Sequence, residues 1–310
     1  MSVEVGIVGL PSSGKTTLFT ALTGVKPESA GYGKPHVGMA PIPDERLERV
    51  AQVAGSAKVT HASLRIVDVP GSEAAALGGV RGCDALIAVL STFASGSDPV
   101  TELTRIELEL VVADRDHVER RLERVAKQAK SGETALKQEV AALERALAHV
   151  EAGKPLRELE GPLPDGLEPL TTKPLIPVEN GPGGIDAKLE AELAELDSEE
   201  AAAYRDGPSA LEQVIPRVFE TLDVLVFFTA NDNDAHAWTL RRGRTAHEAA
   251  GVVHSDMARG FVRCEVLSWN ELVESGSQAE AARRGLVRLE GKNYVVQDGD
   301  VLQIRFTPPR

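Results

Sequence analysis

Nine residues near the start of the chain, Gly9-Leu-Pro-Ser-Ser-Gly-Lys-Thr-Thr17, carry the plainest chemistry in the sequence. Gly9 and Gly14 let the backbone curl so that successive N–H groups and a helix N-terminus face an anion. Lys15 is placed to reach the β- and γ-phosphates of a nucleotide, and the Thr16 hydroxyl is the type that ligates Mg²⁺. Thr17 falls near an α-phosphate, and Pro11, Ser12 and Ser13 are the remaining phosphate-side positions. The pattern GxxxxGK[ST] is complete and lies between the apolar run VEVGIV and the helix-like TLFTALTG. A chance match in a glycine-rich turn would not bring both flanks.

About fifty residues on, the run SLRIVDV ends in Asp68-Val-Pro-Gly71. DxxG alone is a weak signal, because any strand can end in an aspartate and a turn. After a phosphate loop it marks Asp68 as the metal-side carboxylate and the Gly71 amide as a γ-phosphate sensor. Elsewhere the chemistry is thin. Ser12 and Ser13 belong to the loop, and there is no GxSxG. His236, His247 and His254 are irregularly spaced and read as structural. Cys83 and Cys264 form no CxxC, so neither a zinc site nor a disulfide framework is expected, and a reducing cytoplasm fits.

These residues need a scaffold, and the pattern supplies one. VEVGIVG, SLRIVDVPG and DALIAVLS are short β-runs separated by helical stretches, the signature of a parallel sheet in an α/β domain. From about Thr101 to Glu160 the text turns to Glu, Arg, Lys, Leu and Ala. Val111, Val118, Leu122, Val125 and Ala129 fall on one helical stripe, and Leu136, Val140, Leu143, Leu147 and Val150 on another. That is a helical hairpin with a coiled-coil-like seam, turning at Lys130-Ser131-Gly132. It reads as a packing element with a solvated face or as an arm that touches a large partner. KPLIPVEN then restores a strand, so the hairpin is an insertion. The expected segments are 1–100 and 161–222 for the nucleotide domain, 101–160 for the hairpin and 223–310 for a C-terminal α+β module.

The 310 residues carry a net charge of −13 with a pI near 5.1, so the whole molecule does not attract DNA or anionic lipid. No run reaches the length of a membrane span, and MSVEVGIVGL reads as a first strand, not a signal peptide. The C-terminal segment alone is rich in arginine: Arg241, Arg242, Arg244, Arg259, Arg263, Arg283, Arg284 and Arg288, with Lys292. This density serves either as a face for RNA or as ordinary solubility. Trp238 is read as a core aromatic.

The phosphate loop, PIPDERL at 41–47, DVPG, ERRLERVAKQAK at 119–130, IDAKLEAELAEL at 185–196, FFTANDNDAHAWTLRRGRTAHEAAGVVHSDMARGFVRCEV and LEGKNYVVQDGDVLQIRF together resemble the YchF-type P-loop NTPases, within the Obg-related translation-factor GTPases. The resemblance covers nearly the whole chain. It implies a P-loop sheet with an inserted hairpin and a C-terminal TGS domain of ubiquitin-like β-grasp type. It also implies a cytoplasmic, Mg²⁺-dependent binder of ATP or GTP that associates with the ribosome; a monomer is expected.

The departures from that family fall on chemistry. No Thr lies between Thr23 and Thr60 to close a switch over Mg²⁺, and Ser29 substitutes poorly. The residue after DxxG is Ser72, where a Gln often orients water. The loop STFASGSDPV lacks the His that the resemblance places there, and His117 is read as a surface residue of the hairpin. The base-reading NxxE becomes Asn180-Gly-Pro-Gly183, so the guanine-selecting carboxylate is gone. Asp186-Ala187-Lys188 stands for the usual SAK, with Ala187 and Lys188 left to hold the base. The expectation is intact nucleotide binding, favouring ATP or discriminating poorly, with slow hydrolysis. A nucleotide-independent scaffold is the alternative, and phosphoryl transfer to a small molecule has no acceptor pocket or lid to support it.

Overall fold

The computed structural model describes residues 3–27, 35–70, 74–93, 98–130, 133–196, 198–205 and 207–308. Eleven strands are formed among them: β1 (Glu4–Gly9), β2 (His36–Pro41), β3 (Lys58–Thr60), β4 (Ser63–Asp68), β5 (Ala85–Ser91), β6 (Leu175–Asn180), β7 (Val224–Ala230), β8 (Asp234–Arg241), β9 (Phe261–Ser268), β10 (Arg288–Glu290) and β11 (Asp300–Phe306). They make a five-stranded sheet in the order β2-β4-β1-β5-β6 and a six-stranded sheet in the order β10-β9-β11-β7-β8-β3. The chain divides into two units: Glu4–Gly38 with Arg65–Ala210, and Met39–Leu64 with Leu211–Arg310 and the first three residues.

In the first unit β1 runs parallel to β4 and β5, and β5 parallel to β6. The near-continuous apolar runs of β1 and β5 are buried on both faces, as a parallel sheet requires. Helix α1 (Lys15–Thr23) follows β1, and the long α4 (Pro99–Ala129) follows β5; α2 (Glu45–Ala54) and α3 (Ala74–Leu77) lie between them in sequence. Asp98 caps α4 by accepting from the Val100 and Thr101 N–H groups, with Pro99 at the first helical position. Ile106, Leu110 and Ala113 on one face of α4 join the core formed by Val8, Val67, Leu86 and Ala88.

The outer half of α4 pairs with α5 (Thr134–Glu151) as the expected hairpin. Val111, Val118, Val125, Leu143, Ala146 and Val150 are buried together, with Leu122, Leu136, Val140 and Leu147 at the margin. His117 does not stand on the surface as expected; it is half-buried, and burial together with the Arg81 guanidinium holds its pKa below the ordinary histidine range. Arg81 itself meets Asp114 of α4 at 2.6 Å, both side chains buried.

In the second unit β7 and β8 are antiparallel, β11 joins β7 in parallel and β9 in antiparallel fashion, and β3 lies parallel to β8. Leu225, Phe227, Cys264, Val266 and Leu302 fill the core with Ala246 and Ala249 from the helix Ala246–Val253, which Thr245 and Glu248 close with a capping box. Trp238 packs against this core, stacks on His236 at 3.7 Å and donates from Nε1 to Thr229 Oγ1 at 3.0 Å, in keeping with the core reading. The segment PIPDERL is fixed here too. Arg46 bonds Asp44 and reaches Asp298 at 2.6 Å, while Asp298 accepts from the Val226 N–H.

Both cysteines are free and buried, Cys83 in the first unit and Cys264 in the second. Burial pushes each thiol up to about 12. Since the thiolate is the nucleophile, native protein at pH 8 is expected to react with a maleimide about 10³-fold more slowly than an ordinary cysteine of pKa about 8.5. Labelling kinetics with and without denaturant check this. Rapid modification of the native fold would contradict it.

Candidate functional site

Three parallel strands end at the same edge, and their last residues are the ones that matter: Gly9 of β1, Asp68 of β4 and Asn180 of β6. Carboxyl ends of strands are where open α/β sheets hold ligands. The loop from Gly9 to Gly14 then turns the chain into α1. Ser12 takes a left-handed φ of 63°, and Gly14 caps α1 at φ 92°. A Cβ at Gly14 would sit 2.2 Å from Asn180 Nδ2, so only glycine lets the strand and loop approach this closely.

Asn180 ties the loop to the last strand. Its Nδ2 donates to Ser13 O at 2.8 Å, and its Oδ1 accepts from the Ala187 N–H at 3.1 Å. Ala187 therefore gives its N–H to Asn180, not outward, and Lys188 beside it is exposed. Gly183, where the resemblance implies an acid, adopts φ 87°. Pro11 and Ser12 are exposed on the loop, Ser13 is buried, and Thr17 is half-buried on the first turn of α1. Gly71, Ser72 and Ser29 lie outside the described residues.

Lys15, expected to serve as the phosphate-side cation, is held against the loop backbone. Lys15, 8% exposed, donates from Nζ to Gly9 O at 2.9 Å and Leu10 O at 3.0 Å. Burial holds its pKa below the ordinary lysine value, opposed by the charges of Asp68 and Glu109. Thr16 Oγ1 donates to Asp68 Oδ2 at 2.9 Å, which brings together the two groups expected to serve a metal.

Two further residues join them that the sequence reading did not single out. His36, at the start of β2, places Nδ1 3.0 Å from the same Asp68 Oδ2. Glu109 of α4 is half-buried within electrostatic range of Lys15, and burial raises its pKa while Lys15 draws it back. A histidine one residue after Lys34-Pro35, and an acid inside the apolar stripe of α4, were the signals available.

Among the described residues, three buried side-chain oxygens lack a hydrogen-bond partner: Ser13 Oγ, Asp68 Oδ1 and Ser275 Oγ. Two of the three lie at the phosphate loop and its aspartate. Buried polar atoms are ordinarily paired, so orphans gathered here mark a place built for a ligand. An oxygen donor set of Thr16 and Asp68, with one carboxylate oxygen left bare, suits a divalent cation.

The arginines of the C-terminal segment are mostly paired with acids of their own unit: Arg242 with Asp223, Arg244 with Glu248, Arg259 with Asp256, Arg283 and Arg284 with Glu280, and Arg288 with Asp300. His254 accepts from the Asp256 N–H, and His247 packs edge-on against Phe261, so these histidines serve the fold.

Comparison with known proteins agrees with this architecture. A model described as "50S ribosome-binding GTPase" matches residues 4–143, and the YchF-GTPase C-terminal model, described as a protein of unknown function, matches 224–307. The Ribosome-binding ATPase YchF of Bacillus subtilis is 34% identical, covering 99% of this chain and all of that one. That alignment runs over 364 positions, more than the 310 residues present, so segments of the relative have no counterpart here. Obg-like ATPase 1 of Bos taurus is 29% identical over 100% of this chain and 93% of its own length. The solved structure of the Schizosaccharomyces pombe YchF GTPase superposes with a TM-score of 0.76 at 24% identity, covering 98% of each chain, and so shares the fold. A P-loop joined by Asn180 to the last strand of its sheet, a DxxG aspartate bonded to the P-loop threonine, and end-to-end similarity to these relatives place the chain in the YchF family.

Proposed function

We propose that this chain is a nucleotide-dependent ribosome-binding switch that holds a purine nucleoside triphosphate with Mg²⁺ and hydrolyses it slowly on its own. The observation that carries the reading is the pair of orphaned buried oxygens, Ser13 Oγ and Asp68 Oδ1, beside the Lys15 ammonium. The names of its relatives supply the ribosome as partner.

In this reading Lys15 leaves the carbonyls of Gly9 and Leu10 for the β- and γ-phosphates, exchanging neutral acceptors for charged ones. Thr16 and Asp68 hold the cation, which when bound neutralises charge on the phosphate oxygens. Asn180 keeps the loop in register with the Ala187-Lys188 segment beneath the base. The slow hydrolysis rests on the missing groups: no switch Thr, no Gln after DxxG and no His in the loop after β5. Loss of one charge-stabilising or water-positioning group commonly costs about 10²–10³ in rate. With Gly183 in place of an acid, ATP is preferred or the two purines are poorly distinguished. The hairpin and the C-terminal module, a TGS-type β-grasp in this reading, supply contacts to the partner. The protein works in the cytoplasm as a monomer; among the described residues no helix is long and apolar enough to cross a membrane.

Calorimetric titration of ATP and GTP with Mg²⁺, followed by turnover assays with and without purified ribosomes, tests the reading. Micromolar binding, with turnover that stays low until ribosomes are added, is the expected result. Binding of ribosomes with no binding of either nucleotide would replace it with the scaffold alternative.

A further inference from the structure

His36 occupies a position that the phosphate-loop chemistry does not require. Its side chain is 15% exposed, and Nδ1 lies 3.0 Å from Asp68 Oδ2, the oxygen that also accepts from Thr16 at 2.9 Å. Phe19 of α1 stands near the ring, with centroids 6.2 Å apart, and limits its freedom on that side. Asp68 is fully buried, and its second oxygen has no partner. A hydroxyl and an imidazole nitrogen thus meet one oxygen of a buried carboxylate beside the phosphate loop, and the other oxygen of that carboxylate is bare.

We propose that His36 is a direct ligand of the divalent cation at this site and moves its preference away from Mg²⁺ toward cations that accept imidazole nitrogen. This inference rests on the nucleotide-site reading above and adds to it a nitrogen donor through which other divalent cations compete with Mg²⁺.

The chemistry follows from donor type. Mg²⁺ demands oxygen donors in near-ideal octahedral geometry and gives up water reluctantly. Imidazole nitrogen suits Co²⁺, Ni²⁺ and Zn²⁺, whose affinity for a mixed nitrogen and oxygen set rises along the Irving–Williams order. In the structure His36 Nδ1 and Asp68 Oδ2 are joined by a hydrogen bond. A cation held by the ring nitrogen and the carboxylate would take the place of that hydrogen bond, the imidazole carrying its proton on Nε2, and would also give the bare Oδ1 a partner. No threonine lies between Thr23 and Thr60 to serve as a ligand, and His36 is in that same stretch of sequence.

The test uses the full chain, with tripolyphosphate as the phosphate probe so that no purine nitrogen is present. Mn²⁺ serves as an EPR-active cation, with and without tripolyphosphate. Pulsed EPR is expected to show imidazole nitrogen coupling to Mn²⁺ in the unaltered protein and none in His36→Asn. In parallel, competition between Co²⁺ and Mg²⁺ is expected to show a preference for Co²⁺ that falls at least about 10-fold in His36→Asn, the scale on which a ligand set tunes metal affinity. No nitrogen coupling in the unaltered protein overturns the proposal, and so does an equal Co²⁺-to-Mg²⁺ ratio in the two proteins. The EPR result is read on the unaltered chain and stands even where the variant folds poorly. Failure of the nucleotide reading shows separately, as absent ATP binding with every cation, while nitrogen coupling to Mn²⁺ alone still decides the role of His36.

Discussion

Replacing Lys15 with methionine is expected to lower ATP affinity by two to four powers of ten while leaving the ligand-free protein at least as stable as before. Methionine keeps an unbranched apolar stem of similar length, so packing is nearly held while the charge and its two hydrogen bonds to main-chain carbonyls are removed. The ammonium now bonds the carbonyls of Gly9 and Leu10, and its pKa is held down chiefly by burial. Toward a triphosphate, the same group makes charge-assisted bonds worth about 1.5–3 kcal/mol each, and two of them account for the loss of binding. The effect on stability has the opposite sign. A lysine whose pKa is lower in the folded state than in the unfolded chain destabilises the fold while it is charged. That penalty is full below the folded-state pKa and is relieved as pH rises through it. The variant is therefore expected to melt higher than the unaltered protein at pH 7, with the difference shrinking toward pH 10. Calorimetric melting at the two pH values, beside ATP titration at pH 7, checks both halves. An unchanged ATP affinity would remove Lys15 from the phosphate site.

Local patterns were the legible part. The phosphate loop needs only a strand, five residues and a helix, all adjacent in sequence, and Asp68 needs only the end of β4. The hairpin was legible because its stripe repeats at helical spacing, and Val118, Val125, Leu143 and Val150 are buried as that spacing requires. What escaped was set by distant pairings. Asn180 grips Ser13 across 167 residues, and no sequence period announces that the contact excludes a side chain at Gly14. His36 is not legible because the resemblance points to a histidine in the loop after β5, whereas the side chain that meets Asp68 comes from β2. Glu109 reads in sequence as one more charge on a charged helix; only the packing of α4 brings it near Lys15. The stretch from Met39 to Leu64 follows the phosphate loop in the chain yet folds with the C-terminal residues. The reason is that Lys58, Val59 and Thr60 pair with Asp234, Ala235 and His236, and Arg46 reaches Asp298.

Asp114 shows how α4 is fixed at the depth where Glu109 comes near the site, and its removal is the second large effect expected. The carboxylate is 1% exposed and takes four hydrogen bonds: from Arg81 Nη1 at 2.6 Å, the Leu170 N–H at 2.9 Å, the Thr171 N–H at 2.9 Å and Thr171 Oγ1 at 2.7 Å. Alanine at this position leaves two main-chain donors and a buried guanidinium without their acceptor, although Arg81 keeps the Ala113 carbonyl at 2.9 Å. Breaking one partner out of a buried ion pair costs about 3–5 kcal/mol. At about 2–4 °C per kcal/mol for a domain of this size, Asp114→Ala should lower the melting temperature by roughly 6–20 °C. Glu107 of the same helix provides the contrast. It pairs with Arg157 at 2.6 Å, but both side chains are about two-fifths exposed. An exposed pair is worth about 0–1 kcal/mol, so Glu107→Ala should melt within a few degrees of the unaltered protein. Replacing Arg81 and Asp114 together by Met and Leu removes the orphaned charge as well as its partner and should recover much of the loss. A single Asp114→Ala variant that melts like Glu107→Ala would mean that α4 is held by its apolar face alone, with Ile106, Leu110 and Ala113 sufficient to seat it against the sheet.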